Sequence, residues 1–212
     1  ITGLRGGHSG MDIHKGLGNA NKIMNRLLSD GFTNFGLRIA EINGGSLRNA
    51  IPRESNALVA IDTMNEAAFL LEMKDQADTI KTEFKTKEPD LEITFLKCDT
   101  PKKIMDLGVQ EGLTRALYAA QNGVYRMSAD IPDLVETSNN IARVVVKDGE
   151  IMIACLTRSS VESSKMDLAM MLRATFAAGS FSSGTRLGMI APAAAAPNAS
   201  PTPMRKTARP NR

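Results

Sequence analysis

Tryptophan is absent, histidine and cysteine occur twice each, and aromatic residues make up only 4% of the 212 positions. A surface that stacks bases on aromatic rings is therefore not expected. Charge of one sign is also missing. The 26 basic residues nearly balance 23 acidic ones, and part of the net +3 sits at the end of the chain in Arg205, Lys206, Arg209 and Arg212. No electrostatic footprint for nucleic acid remains. No apolar run approaches the ~20 residues that span a bilayer, so no membrane partner is expected. Cys98 and Cys155 lie far apart in apolar, strand-like runs and read as core residues rather than a disulfide. With no signal-peptide pattern, a cytoplasmic location follows. The sequence opens on Ile1 inside a strand-like run, which predicts a piece excised from something longer.

Metal ligands are equally scarce. A two-metal site needs several His, Asp and Glu side chains converging on it, whereas His8 and His14 are the only histidines and no His-x-Asp or Glu-Glu pair occurs. Asp12, His14 and Glu41 are the conceivable ligands. Asp12 and His14 stand two residues apart, which on a helix turns them to different faces. No metal site is expected in this chain.

What is present is an ordinary globular composition, 42% hydrophobic and 23% charged, long enough for one or two domains. Ile1 to Arg5 suits a strand. Ile13, Leu17, Ala20, Ile23, Leu27 and Leu28 recur at helical spacing, with a stop at Asp30-Gly31. Phe35 to Ile42 and Ala57 to Asp62 read as strands. Asn65 is placed to cap a helix carrying Phe69, Leu70, Met73, Ala77, Ile80 and Phe84, which Pro89 ends. Leu91, Ile93 and Phe95 alternate with Glu92, Thr94 and Leu96 as in a half-buried strand.

This order, βαββαβ, predicts a ferredoxin-like α+β sandwich over residues 1–98, its antiparallel sheet covered by helices on one face and free for a partner on the other. Residues 104–179 repeat much of that order. Val109, Leu113, Ala116, Leu117 and Ala120 form a helical stripe. Two strands, Leu134 to Val146 and Ile151 to Thr157, flank an Asp148-Gly149 hairpin signal, and a last helix carries Leu168, Met171, Leu172 and Phe176, with Ser163 or Ser164 as its cap. Two related halves sharing one extended sheet are expected over 1–179. Prolines and small residues then dominate 180–212, which reads as a linker or disordered tail.

Two glycine-rich blocks interrupt these elements: Gly6-Gly7-His8-Ser9-Gly10, and Gly44-Gly45 leading to Ser46-Leu47-Arg48-Asn49-Ala50-Ile51-Pro52. By spacing alone the first is either a plain chain turn with a solvated histidine or a corner presenting one imidazole to a ligand. Together with His14-Lys15-Gly16-Leu17-Gly18-Asn19-Ala20-Asn21-Lys22 between them, the blocks resemble the inserted lid domain of the aminoacyl-histidine dipeptidases. These Xaa-His dipeptidases (peptidase D) belong to the dizinc aminoacylase and carboxypeptidase superfamily. The resemblance covers Ile1 to about Gly179.

The resemblance implies a lid that closes over a dipeptide substrate, often in a homodimer, while a missing catalytic domain carries two zinc ions and the water-activating glutamate. The tail at 180–212 would lead back to that domain. His8 corresponds to a lid histidine that hydrogen-bonds the scissile carbonyl oxygen, Asn49 and Asn140 to asparagines lining the substrate pocket, and Arg158 to an arginine that clamps the substrate carboxylate. Leu156 stands where many relatives carry an acid, and Met64 where many carry an arginine. The competing reading is a non-catalytic ferredoxin-like module that dimerises or binds a ligand through its open sheet face.

Overall fold

A computed structural model describes residues 1–179; the expectations for 180–212 lie outside them. The elements in chain order are β1 (Gly7–His8), a 3-10 turn (Ile13–Lys15), α1 (Ala20–Phe35), β2 (Arg38–Gly45), β3 (Ala50–Ile51), β4 (Ser55–Ala60), a 3-10 turn (Thr63–Asn65) and α2 (Glu66–Phe84). They continue with α3 (Leu107–Ala119), β5 (Gly123–Met127), β6 (Val135–Lys147), β7 (Glu150–Ser159) and α4 (Glu162–Ala178). The fold is α+β, with a five-stranded antiparallel sheet ordered β4-β2-β6-β5, β7 paired along β6, and a separate two-stranded ladder of β1 and β3.

Apolar periodicity explains the layers. Ile23, Leu27 and Leu28 of α1, Phe69 and Met73 of α2, Leu113 and Leu117 of α3, and Leu168, Leu172 and Phe176 of α4 join Ile39, Ile141, Val144, Ile153 and Cys155 of the sheet in one buried cluster. All four helices thus supply side chains to a core shared with the strands. Because strand side chains alternate between faces, Leu156 and Arg158 of β7 point away from the face that carries Ile153 and Cys155. The β6–β7 hairpin turns at Asp148 and Gly149, both at positive φ, as the Asp-Gly signal predicts.

Several expectations are corrected. Helix α1 does not begin near Asp12; its start is Ala20, where the Asn19 side chain accepts from the Asn21 and Lys22 amides. It continues through Gly31 and closes at Gly36, in the left-handed region. Asn65 caps nothing through its side chain, and no side chain caps α4. Strand β5 was not foreseen. Ile1 to Arg5 and Leu91 to Leu96 meet only at an isolated bridge, Thr2 to Glu92. Cys98 is exposed rather than buried.

The least predictable feature is how β6 shares one edge between two strands. Strand β7 runs along residues 137–147 of β6, so β2, paired to Arg143–Val146, and β5, paired to Val135–Asn139, occupy the other edge end to end. A gap remains at Ile141, and asparagine side chains fill it. The Ile141 N–H donates to Asn122 Oδ1 at 2.9 Å, and its carbonyl accepts from Asn19 Nδ2 at 3.2 Å and Asn21 Nδ2 at 3.1 Å. Backbone groups this deep need partners, and these amides stand in for a missing strand. On the β2 side of the gap, Gly45 has φ +74 and a Cβ there would lie 1.9 Å from the Ala142 carbonyl oxygen. Only glycine passes.

Replacing Asn122 by Ala leaves the wholly buried Ile141 N–H without an acceptor, and urea unfolding is expected to show a loss of ~1–3 kcal/mol. Asn122→Asp keeps an oxygen in place and should lose less; equal losses would show that the hydrogen bond is not what matters. Burial pushes the Cys155 thiol up to about 11, against a smaller lowering by the Asn139 side chain. Thiol titration at about pH 8 should therefore modify Cys98 at once and Cys155 only after denaturation.

Candidate functional site

The site lies where the two glycine blocks meet. Strands β1 and β3 pair antiparallel, Gly7 opposite Ile51 and His8 opposite Ala50, and the Ser9 N–H donates to the Asn49 carbonyl at 2.8 Å. A two-residue ladder is weak alone, so the turn after it carries its own bracing. The His8 N–H donates to Asp12 Oδ2 at 2.7 Å, the Asp12 N–H donates back to the His8 carbonyl at 2.8 Å, and Lys15 Nζ reaches Asp12 Oδ1 at 2.6 Å. The Lys15 hydrogen bond, then the His8 amide, hold the Asp12 carboxyl below its usual range.

This turn fixes the chemical state of the imidazole. The Gly10 and Met11 N–H groups both donate to His8 Nδ1 at 3.2 Å. Nδ1 is therefore an acceptor, and the proton of the neutral ring sits on Nε2. His8 presents an N–H donor at its outer edge.

Arg158 arrives from the other end of the chain. Its strand position is opposite Ser138, and its stem runs beside the His8 turn. A Cβ on Gly10 would stand 3.1 Å from His8 Cε1 and 3.3 Å from Arg158 Cδ. The missing side chain at Gly10 is what lets imidazole and guanidinium stem approach one another. Arg158 Nε is buried without a hydrogen-bond partner, and among the described residues no carboxylate pairs with its guanidinium. Buried donors are normally satisfied, so one without a partner beside a half-buried imidazole suits an incoming anion.

Asn49 and Asn140 have different standing. Asn49 lies exposed on the turn before β3, and its side chain makes no hydrogen bond among the described residues. Asn140 is 0% exposed. It donates to the Arg48 and Ala50 carbonyls at 3.3 and 2.7 Å and accepts from Asn19 Nδ2 at 3.3 Å. Every polar atom of its amide is engaged, so the expectation of a pocket-lining Asn140 gives way to an anchor that fixes the Asn49 turn against β6.

The structure thus gathers His8, Asn49 and Arg158, and places Asn140 beneath them. Sequence reasoning missed Gly10, Asp12 and Asn19. Asn19 gave a signal as a helix cap; Gly10 and Asp12 gave none, because their roles depend on contacts with Arg158 and with the His8 backbone. His14 is exposed on the 3-10 turn, and among the described residues no group of three or more His, Cys, Asp or Glu side chains is arranged to hold a metal. No described helix is long and apolar enough to cross a membrane.

An α+β sheet whose far-separated glycine turns and strand end bring one imidazole and one guanidinium stem together is the architecture to be compared with known proteins. Residues 1–92 match the family model of the peptidase dimerisation domain. The chain is 37% identical over 165 residues to the cytosol non-specific dipeptidase of Escherichia coli (strain K12), an alignment covering 78% of this chain and 34% of that protein. It also matches the crystal structure of aminoacylhistidine dipeptidase from Vibrio alginolyticus with a TM-score of 0.80 and 35% identity, over 84% of this chain and 36% of that one. The chain spans about a third of the length of these relatives. Residues 1–92 thus carry a peptidase dimerisation domain, and most of the chain is similar to dipeptidases.

With only two imidazoles to assign, nitrogen-15 NMR should show His8 as the Nε2–H tautomer and His14 as a mixture. Asp12→Ala is expected to release the turn and bring His8 to the mixed state as well. A His8 signal that is already mixed in the parent chain would refute the bracing described above.

Proposed function

We propose that this domain orients the substrate of a cytoplasmic dizinc dipeptidase that hydrolyses Xaa-His dipeptides, and that it does so as part of a homodimer. The reading rests on one observation: the Arg158 side chain, which no carboxylate pairs with among the described residues, stands next to an imidazole whose Nδ1 is held as an acceptor. Arg158 would grip the substrate's free carboxylate, since its planar fork meets two oxygens at once. His8 Nε2–H would donate to the scissile carbonyl oxygen as negative charge develops there. Asn49 would complete the pocket with an amide able to donate or accept. Asn140 would act through the turn it anchors.

Zinc has no place among these residues, because His8 Nδ1 already accepts two amide hydrogens and His14 stands apart from any converging acid. The two ions and the carboxylate that activates water are assigned to a catalytic domain outside this chain, over which the domain would close and exclude water. The names of the two relatives, one a cytosol dipeptidase and one an aminoacylhistidine dipeptidase, support the location and the substrate class, and the name of the matched family supports dimerisation.

In the full dipeptidase, His8→Ala is expected to lower kcat by roughly 10²–10³-fold, the usual cost of one oxyanion donor. Arg158→Ala should chiefly raise KM. The isolated chain should hydrolyse no dipeptide. Wild-type kinetics in both variants would favour the non-catalytic binding module instead.

A further inference from the structure

A buried carboxylate stands at the base of the loop that carries His8. Glu88, in the turn that follows α2, is 1% exposed. Its backbone is held on both sides, by its N–H to the Phe84 carbonyl at 2.8 Å and by the Leu91 N–H to its own carbonyl at 3.1 Å. A charge this deep is costly unless it is paired or fully hydrogen-bonded. Among the described residues no lysine, arginine or histidine pairs with it. Its partners are backbone amides instead: the Arg5 N–H donates to Oε2 at 2.7 Å and the Gly18 N–H to Oε1 at 2.8 Å.

Those amides are the two ends of one loop. Arg5 leads into Gly6-Gly7-His8, and Gly18 follows the 3-10 turn and precedes Asn19, the cap of α1. Gly18 is itself buried, and a Cβ there would lie 2.6 Å from Leu4 Cδ2 and 3.5 Å from Glu88 Cγ. A carboxylate offers an acceptor to each of two amides and presents a donor to neither. One side chain therefore closes the loop at its base.

Asp12 and Glu88 then act on different things. The Asp12 contacts lie within the loop, so they fix the conformation of the His8 turn but not its place in the domain. Outside the loop the turn meets β3 through the two-residue β1–β3 ladder and the bond from the Ser9 N–H to the Asn49 carbonyl, and so short a ladder is weak alone. Asn140 anchors the Asn49 side of that contact; Glu88 anchors the His8 side. We propose that Glu88 is the positioning residue of His8: Asp12 sets the chemical state of the imidazole, and Glu88 sets where it stands against Asn49 and Arg158. The consequence for turnover rests on the substrate-facing role proposed for His8.

The test compares Glu88→Gln, which keeps the shape but turns an NH2 toward one of the two amides, with Asp12→Ala and with Met73→Ala, which removes volume from the α2 core. One Gly10 Hα takes the direction of the missing Cβ, whose site is 3.3 Å from Arg158 Cδ. A nuclear Overhauser contact between that Hα and the Arg158 Hδ atoms reports the place of the turn, and the His8 tautomer reports its conformation. Glu88→Gln should lose most of the contact and speed Ser9 amide exchange about tenfold, with His8 still the Nε2–H form. Asp12→Ala should release the tautomer, and Met73→Ala should change neither signal. If Glu88→Gln speeds exchange only at Arg5 and Gly18, the carboxylate merely satisfies its own two donors and the proposal is overturned. Glu88→Asp, one methylene too short to reach both amides, gives the same readings should the Gln variant not fold. In the full dipeptidase Glu88→Gln should lower kcat about tenfold or more and add nothing in a His8→Ala background; an undiminished further loss there also overturns it. Wild-type kcat in His8→Ala would instead refute the role of His8, and the NMR comparison would still decide the placement by Glu88.

Discussion

The structure depends on how the backbone of Ile141 is satisfied. A long strand whose edge is shared by two shorter ones must expose a peptide unit where they fail to meet, and a buried unpaired peptide is costly. Asn19, Asn21 and Asn122 remove that cost with three side-chain hydrogen bonds. Asn19 is the pivotal member, because its oxygen caps α1 while its nitrogen reaches Asn122, Asn140 and the Ile141 carbonyl. One side chain thus sets where the first helix starts and where it meets the sheet. From Asn140 the constraint passes to the Arg48 and Ala50 carbonyls, and from Asn49 to Ser9. The His8 turn is therefore positioned by the same network that closes the sheet.

The two charged or chargeable members of the site are held in contrasting ways. His8 is overdetermined: its amide, its carbonyl and its Nδ1 are all engaged within its own turn, which leaves one nitrogen and fixes that nitrogen as a donor. Arg158 is underdetermined: its stem is set by β7 and lies close to Gly10, but among the described residues no acid holds its head. An acidic residue at position 156 would have been well placed to compete for that head; Leu156, 4% exposed, does not.

Much of the fold was legible because it follows from period. The stripes of α2, α3 and α4 and the alternation of β6 and β7 place most of their residues in or against the core as expected, Met171 of α4 excepted, which is 38% exposed, and Asp148-Gly149 turns the hairpin. What could not be read was whatever depended on a partner distant in sequence. Leu91 to Phe95 has the alternation of a strand, and its burial alternates too, but a ladder needs a neighbour. Strand β5 carries Tyr125 and Met127 on an exposed edge and shows no period strong enough to mark it. Cys98 looked like a core residue by its neighbours, yet the chain has left the sheet before reaching it. At the site, family resemblance pointed to His8, Asn49, Asn140 and Arg158 together; the coordinates show that the Asn140 amide is wholly buried and fully hydrogen-bonded, which no sequence pattern could.

The distribution of these residues along the chain has a consequence for how the domain arose and works. His8 and Asn49 come from the first half, Arg158 from the second, and their approach requires the pairing of β2 with β6. In the first half the position comparable to Arg158 follows β4, where Met64 lies 91% exposed and offers no charge. Neither half contains the constellation by itself. A single sheet spanning both halves therefore does more than bury apolar surface: it converts two incomplete sets of polar residues into one. Because the join also contains the Ile141 gap, the asparagines that satisfy that peptide set the spacing between imidazole and guanidinium. The packing of the sheet and the placing of its polar residues are then the same constraint, expressed on opposite faces.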